Sequence, residues 1–194
     1  MHHPRFDEFI KGLTNVVDTA KNEAEILARA EPLLQALVSK DDWLDDQYAQ
    51  PHPQYYQQYC LYTCPQERFS VVSFVWGPGQ KTPVHDHTVW GIIGMLRGAE
   101  VCERFEKQAD GSYVSTGVET LQPGMTDCVS PTIGDIHRVS NAYDDQVSIS
   151  IHVYGADIGT VKRHVYVPDT GEIKEFVSGY ADVAAVQRSA GDRA

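Results

Sequence analysis

The sequence contains no apolar run approaching the roughly 20 residues that a membrane-spanning helix needs, so a membrane protein is not expected. Its first residues, Met-His-His-Pro-Arg-Phe-Asp-Glu, do not join a basic segment to an apolar core, and no secretory leader is expected either. Basic residues are scarce. Lys and Arg number 16 against 27 Asp and Glu, a formal net charge of −11 with histidine neutral. Such a chain repels a phosphate backbone, and no Lys/Arg cluster offers a local exception, so nucleic acid is excluded as a partner. Cysteine is also scarce. Cys60, Cys64, Cys102 and Cys128 are too few for a disulfide scaffold, and Cys60/Cys64 lack the second pair that a zinc site would need. Reduced thiols in a cytoplasmic protein are expected. Internal repeats and low-complexity blocks are absent. What is present is ordinary for a soluble globular protein: 194 residues, 42% hydrophobic and 22% charged, enough for one domain with an appended helical segment.

The chain divides into zones by hydrophobic period. Between Arg5 and Ser39, Phe6, Phe9, Ile10, Leu13, Val16 and Val17 recur at helical spacing, and Ile26, Leu27, Leu33, Leu34, Leu37 and Val38 do so again, predicting two amphipathic helices. Asp41 to Gln58, rich in Asp, Gln, Pro and Tyr, reads as a connector. From about Tyr59 short apolar runs alternate with turn residues. Strands are predicted at Phe69–Trp76, Trp90–Leu96, Val101–Phe105, Tyr113–Gly117, Met125–Val129, Ile136–Ser140, Val147–Tyr154 and His164–Val167, with Asp110-Gly111 closing a hairpin. Eight or nine short strands with regular turns predict an antiparallel sandwich or barrel over residues 59–180. Residues 1–58 are then a helical segment and connector packed on it, and 181–194 a polar, Ala-rich tail expected as a weak helix or frayed end.

Among the eight histidines, His85 and His87 stand out. They sit in Thr82-Pro-Val-His-Asp-His-Thr88 between two strands, and residues i and i+2 of an extended chain face the same way, so both imidazoles can reach one point. His137, in Gly134-Asp-Ile-His-Arg138 at the head of a later strand, can supply a third ligand. The frame around them is regular: Gly79, five residues, His85-x-His87, three residues, Gly91, six residues, Gly98; then Gly124, Pro131, Gly134, His137 and Asn141. Three imidazoles suit iron, zinc, copper or nickel, and spacing does not choose among them. With no carboxylate ligand the ion's charge is uncompensated, which favours an anionic group, such as a thiolate, as the next ligand. Iron(II) with three open positions can hold thiolate and dioxygen side by side, whereas zinc would activate water.

These two blocks resemble the paired cupin motifs, G-x5-H-x-H-x(3–4)-E-x6-G and P-x-G-x2-H-x3-N. The sequence departs twice: Gly91 stands where the motif has its glutamate, and one extra residue separates Pro131 from Gly134. The fold implied is mainly β, a cupin-type antiparallel β-sandwich or jelly roll with N-terminal α-helices. His-Asp-His-Thr without the glutamate, followed by Ser150-Ile-His-Val-Tyr154, is similar to the thiol dioxygenases of the cysteine dioxygenase family over roughly Tyr55 to Val167. The resemblance implies Fe(2+) held by His85, His87 and His137. It also implies a hydrogen-bonded row of Ser150, His152 and Tyr154 with the tyrosine hydroxyl near the metal. Alternation along a strand places those three on one face, which a polar core network would equally satisfy.

Two departures bear on the substrate. Animal cysteine dioxygenases crosslink the tyrosine to a cysteine at the position best aligned with Gly91; no cysteine lies between Ser70 and Val101, so no crosslink is expected. Their Tyr-x-Arg carboxylate clamp corresponds here to Tyr56-Gln-Gln58, with Gln58 replacing the arginine. Arg163, in Val161-Lys-Arg-His164, corresponds instead to the arginine of the bacterial 3-mercaptopropionate dioxygenases, and a guanidinium can hold a carboxylate through two parallel hydrogen bonds. Lys162 would point the other way on an extended segment. The activity expected is iron(II)-dependent oxidation of 3-mercaptopropionate, a small thiol carboxylate, by dioxygen to 3-sulfinopropionate, with Tyr154, His152 and Ser150 in the catalytic row and Arg163 and Gln58 on the substrate. The alternatives are oxidation of L-cysteine and, from another class, a non-catalytic ligand-binding cupin, which gives the Ser-His-Tyr row no purpose.

Overall fold

The computed structural model describes residues 1–184; most of the tail expected at 181–194 lies outside the described residues. The two helices fall where the apolar period places them. Helix α1 (Pro4–Thr19) starts with proline at its first position and His3 as N-cap, and buries Phe6, Phe9, Leu13 and Val16. Helix α2 (Glu23–Val38) is capped by Asn22, whose side chain accepts from the Glu25 amide at 2.9 Å, and buries Leu27, Ala30, Leu34, Leu37 and Val38. Trp43 in the connector stacks on Phe6 and donates its indole N–H to the Leu37 carbonyl, fastening the helical pair.

Eleven strands follow: β1 (Gln57–Thr63), β2 (Ser70–Trp76), β3 (Val84–His85), β4 (Gly91–Arg97), β5 (Glu100–Lys107), β6 (Tyr113–Leu121), β7 (Thr126–Val129), β8 (His137–Asn141), β9 (Ser148–Tyr154), β10 (Arg163–Tyr166) and β11 (Ile173–Phe176). They form two antiparallel sheets, β1-β2-β9-β4-β7 and β11-β10-β3-β8-β5-β6. This is the mainly β, cupin-type sandwich with N-terminal helices that the motifs imply. Strand β1 begins two residues ahead of the expected boundary at Tyr59, because Gln57 and Gln58 are polar yet buried strand residues. Three strands are missing from the predicted set: besides β1, β3 has two residues and β11 is exposed at a sheet edge, so neither of these carries an apolar period.

The five-stranded sheet is covered on both faces. Ile149, Ile151 and Val153 of β9, Val71 and Val75 of β2, and Ile92 and Leu96 of β4 join the helices in one core. The alternate residues face the opposite sheet: Val72, Phe74 and Trp76 of β2 pack with Tyr154, and Ile93 and Met95 of β4 pack with Cys102, Leu121 and Val129. All seven residues of β2 and of β9 are buried; β2 accordingly runs nearly continuous in apolar residues, whereas β9 alternates apolar residues toward the helices with polar ones toward the opposite sheet. Helix α2 can lie this close only because Gly94 has no side chain; a Cβ there would sit 2.9 Å from Leu34 Cγ and 3.0 Å from Val38 Cγ1. Gly94→Val should therefore lower stability by about 1–3 kcal/mol through overpacking, read as a lower urea midpoint; an unchanged midpoint would show that α2 yields freely.

Candidate metal centre

Strand pairing brings the three histidines together. His85 and His137 are direct cross-strand partners, so both leave the sheet on one face, and His87 returns to that face two residues after His85. One ligand atom from each lies within 4.8 Å of the others. Each ring is oriented through Nδ1. His85 Nδ1 lies 3.0 Å from the Pro83 carbonyl, His87 Nδ1 lies 2.8 Å from Asp135 Oδ1, and His137 Nδ1 lies 3.4 Å from Cys102 Sγ. Carbonyl and carboxylate oxygens only accept, so His85 and His87 carry the proton on Nδ1 and present the Nε2 lone pair inward.

Among the described residues nothing meets that lone pair on His87, whose Nε2 is buried without a hydrogen-bond partner. Burial holds all three imidazoles neutral, pulling His85 down to about 4 and the other two well below the usual range. Neutral, preoriented imidazoles are what ligation requires. The residues therefore fit a divalent transition metal with three nitrogen ligands and open positions.

Carboxylates that the sequence reading had not singled out hold the ligand loops. Asp135 accepts from the His87 amide at 3.0 Å and the Thr88 amide at 2.9 Å, and so braces Thr88 at φ 61, an uncommon conformation for a β-branched residue. Asp86, between the two ligands, accepts from the His164 amide at 2.7 Å and the Tyr166 hydroxyl at 2.7 Å, tying the loop to β10.

Ser150, His152 and Tyr154 do form a row. Trp76 Nε1–H donates to Ser150 Oγ at 3.0 Å; Ser150 Oγ and His152 Nε2 are 2.8 Å apart, as are His152 Nδ1 and the Tyr154 hydroxyl. The Tyr154 ring stacks on His87 with centroids 5.2 Å apart, which sets the row against the metal ligands. Burial brings His152 down to about 3 and raises the Tyr154 phenol, so both are neutral. Gly91 faces Tyr154 across β4 and β9, and a Cβ there would meet the ring at 3.0 Å. The position where the cupin motif has a glutamate is thus closed by the tyrosine.

Arg163 is 3% exposed, its guanidinium 4.7 Å over the Phe176 ring. One terminal nitrogen donates to Ser178 Oγ at 2.6 Å, and Nε is buried with no partner. It shares a face with His85, whose cross-strand partner Val165 lies two residues along β10, and its positive charge is felt at His85, His87 and Tyr154. Gln58 donates to the same Ser178 hydroxyl at 3.1 Å and to the Gly179 carbonyl at 3.1 Å, so one short segment joins the two residues. Gln58, Tyr56, Phe176, Ser178 and Tyr180 line a cavity of about 610 Å³. Lys162 points outward and pairs with Glu175. Nothing near Ser178 in sequence signals its role; Asp86, between two of the histidines, and Asp135, two residues before the third, were the partners that proximity could have flagged.

Three inward imidazoles in a cupin-type sandwich define a metal-binding cupin. The chain belongs to the cysteine dioxygenase type I family, whose model matches residues 10–176. It is thus placed among dioxygenase oxidoreductases with a three-histidine metal site. Solved structures similar to it include a conserved protein with a double-stranded β-helix domain from Klebsiella pneumoniae, at 17% identity over 61% of this chain and 87% of that one, with a TM-score of 0.47. A cupin superfamily protein from Desulfitobacterium hafniense matches at 14% identity over 56% of this chain and 84% of that one, with a TM-score of 0.42. Among the described residues no helix is long and apolar enough to cross a membrane.

Two outcomes follow from the ligand environment. Asp135→Asn should weaken metal affinity by about 10- to 100-fold, as loss of an orienting carboxylate does, measured by competition with a chelator. The metal-free protein should lose stability on acidification. His85, His87, His137 and His152 take up protons when unfolded near 6.5 but resist them when folded, so stability falls from about pH 6.5 downward, by up to about 1.4 kcal/mol per pH unit per group. Glu100, raised to about 7, works in the opposite sense from about 4.5 to 7, but it is one group against four. Thermal denaturation of metal-free protein at pH 5 and pH 7 reads the sum; a higher midpoint at pH 5 would contradict it.

Proposed function

We propose that this protein is an iron(II)-dependent 3-mercaptopropionate dioxygenase, adding both atoms of dioxygen to the substrate sulfur to give 3-sulfinopropionate. The observation that carries the proposal is Arg163: a buried guanidinium whose charge is felt at His85, His87 and Tyr154, with its Nε lacking a partner among the described residues. A carboxylate completes such a group with two parallel charge-assisted hydrogen bonds. Iron(II) would be held by His85, His87 and His137 and would supply a site where thiolate and dioxygen can react, mediating the passage of electrons from sulfur to oxygen.

The remaining work falls to this chain's side chains. Arg163 and Gln58, linked through Ser178, orient the carboxylate. Tyr154 presents its hydroxyl beside His87, held there by His152 and Ser150. Burial of the row keeps water from the reacting sulfur. The charge balance favours a substrate without an ammonium group, since the carboxylates of the ligand loops, Asp86 and Asp135, already accept hydrogen bonds from neighbouring amides and side chains. The second reading, oxidation of L-cysteine, is favoured by the description of the matching family.

Oxygen uptake by anaerobically iron-loaded protein separates the two. A kcat/KM at least tenfold higher for 3-mercaptopropionate than for cysteine, about 1.4 kcal/mol of discrimination, is expected; the reverse preference would transfer the assignment to cysteine. Arg163→Ala should raise KM for 3-mercaptopropionate by about 10- to 100-fold, the value of a charge-assisted hydrogen bond, while leaving cysteamine, which has no carboxylate, little changed. Equal effects on both thiols would remove the anchoring role.

A further inference from the structure

Behind the Ser150 end of the row lies a group that neither the metal site nor the substrate clamp uses. Glu100, the first residue of β5, is fully buried, and neither of its carboxylate oxygens has a hydrogen-bond partner among the described residues. It lies on the same inward face of β5 as Cys102, which packs between the sheets and contacts His137. The polar groups that act on it across the interior are the Ser150 hydroxyl on β9 and the Asp127 carboxylate on β7. Its charge is in turn felt at Cys102 and Tyr154. Asp127 is itself paired with Arg104, no cation among the described residues pairs with Glu100, and burial pushes its carboxyl up to about 7. On β8 and β6 its pairing partners, Asn141 and Leu121, carry no charge.

We propose that Glu100 is the inner terminus of the Trp76–Ser150–His152–Tyr154 row, and that its protonation decides whether Tyr154 offers the site a hydrogen-bond donor or an acceptor. The inference rests on the proposed function only for the use made of that hydroxyl. Its logic comes from counting hydrogens. The Trp76 indole can only donate, so Ser150 Oγ always accepts from it and has one further lone pair and one hydrogen to place. With Glu100 protonated, the carboxyl O–H donates to Ser150, Ser150 donates to His152 Nε2, His152 Nδ1–H donates to the Tyr154 oxygen, and the Tyr154 hydrogen points into the site. With Glu100 ionised, Ser150 donates to the carboxylate, His152 donates from Nε2 to Ser150, and Tyr154 donates to His152 Nδ1, leaving only its oxygen facing the site.

The two forms differ by one proton. Passing from the first to the second, Glu100 gives its proton to Ser150, Ser150 passes its own to His152 Nε2, Nδ1 gives up its proton to Tyr154, and the Tyr154 proton leaves to a base in the site. Ser150, His152 and Tyr154 each gain one proton and lose one, so no charge is stranded on a residue that burial holds neutral. The reverse passage lets a proton released in the site, such as that of an arriving thiol, come to rest on Glu100.

The tautomer of His152 reports the switch without reference to turnover. Imidazole nitrogen shifts of the full-length protein, with zinc as a diamagnetic metal, should show His152 protonated on Nδ1 below neutrality and on Nε2 above it. Glu100→Gln, whose amide donates to Ser150 as the protonated carboxyl does, should hold the Nδ1–H form throughout. Ser150→Ala should break the link and make the tautomer independent of pH. A pH-independent tautomer in the native protein, or a switch that survives in either variant, would overturn the proposal; should the Gln variant fail to fold, Ser150→Ala carries the test alone. If the switch is present but iron-loaded protein oxidises no thiol, the proposed function falls while the relay stands.

Discussion

Strand β9 is buried on both faces, and most of what the molecule can do depends on that constraint. Its odd-numbered residues, Ile149, Ile151 and Val153, are apolar and seal the sheet against α1 and α2. Burying them there obliges Ser150, His152 and Tyr154 to point between the sheets, where water cannot satisfy them. They therefore bond to one another and to Trp76, and a strand that would otherwise be plain core becomes an ordered row of hydroxyls and an imidazole. The helices contribute to the site without touching it: by covering the far face they make the polar face an interior.

The same desolvation governs the metal centre. Three imidazoles in one dry pocket remain neutral because charging any of them is costly, and each is turned by a partner that takes its Nδ1. Carboxylates are kept one step back, bonded to backbone amides and to Nδ1 rather than aimed at the ion. The pocket thus combines a neutral ligand set with the buried guanidinium of Arg163. Gly91 belongs to this balance, since the space for a carboxylate side chain at that position is filled by the ring of Tyr154.

The segment after β11 closes the arrangement. Ser178 accepts from both Arg163 and Gln58, so residues distant in sequence and drawn from opposite sheets are set by a single hydroxyl. Tyr180 continues the segment with bonds to Asp157 and the Gly159 amide, and Ala181 donates to the Gln58 carbonyl at 2.8 Å. The Arg163 side of the site is therefore held by the last part of the described chain, while the three histidines come from β3, the loop after it and β8.

Much of this was legible in the sequence because it follows from period and spacing. Alternation puts His85 with His87 and aligns Ser150, His152 and Tyr154, and the helical period places Phe6, Phe9, Leu13, Leu27, Leu34 and Leu37 in a core; backbone geometry enforces both without knowledge of the fold. The strands that escaped were those in which pattern has no purchase: β1 opens with two buried glutamines, β3 is two residues long and β11 is exposed. Partnerships across the chain were likewise invisible. That Asp135 orients His87, that Trp76 anchors Ser150, that Ser178 joins Gln58 to Arg163 and that Glu100 ends the row are decided by strand pairing and by one sheet facing the other. Residues tens of positions apart meet only after the sandwich closes. Sequence by itself determined which side chains are available and which of them share a face. The tertiary structure decided which atoms are left without partners in the dry interior, because that depends on everything packed around them.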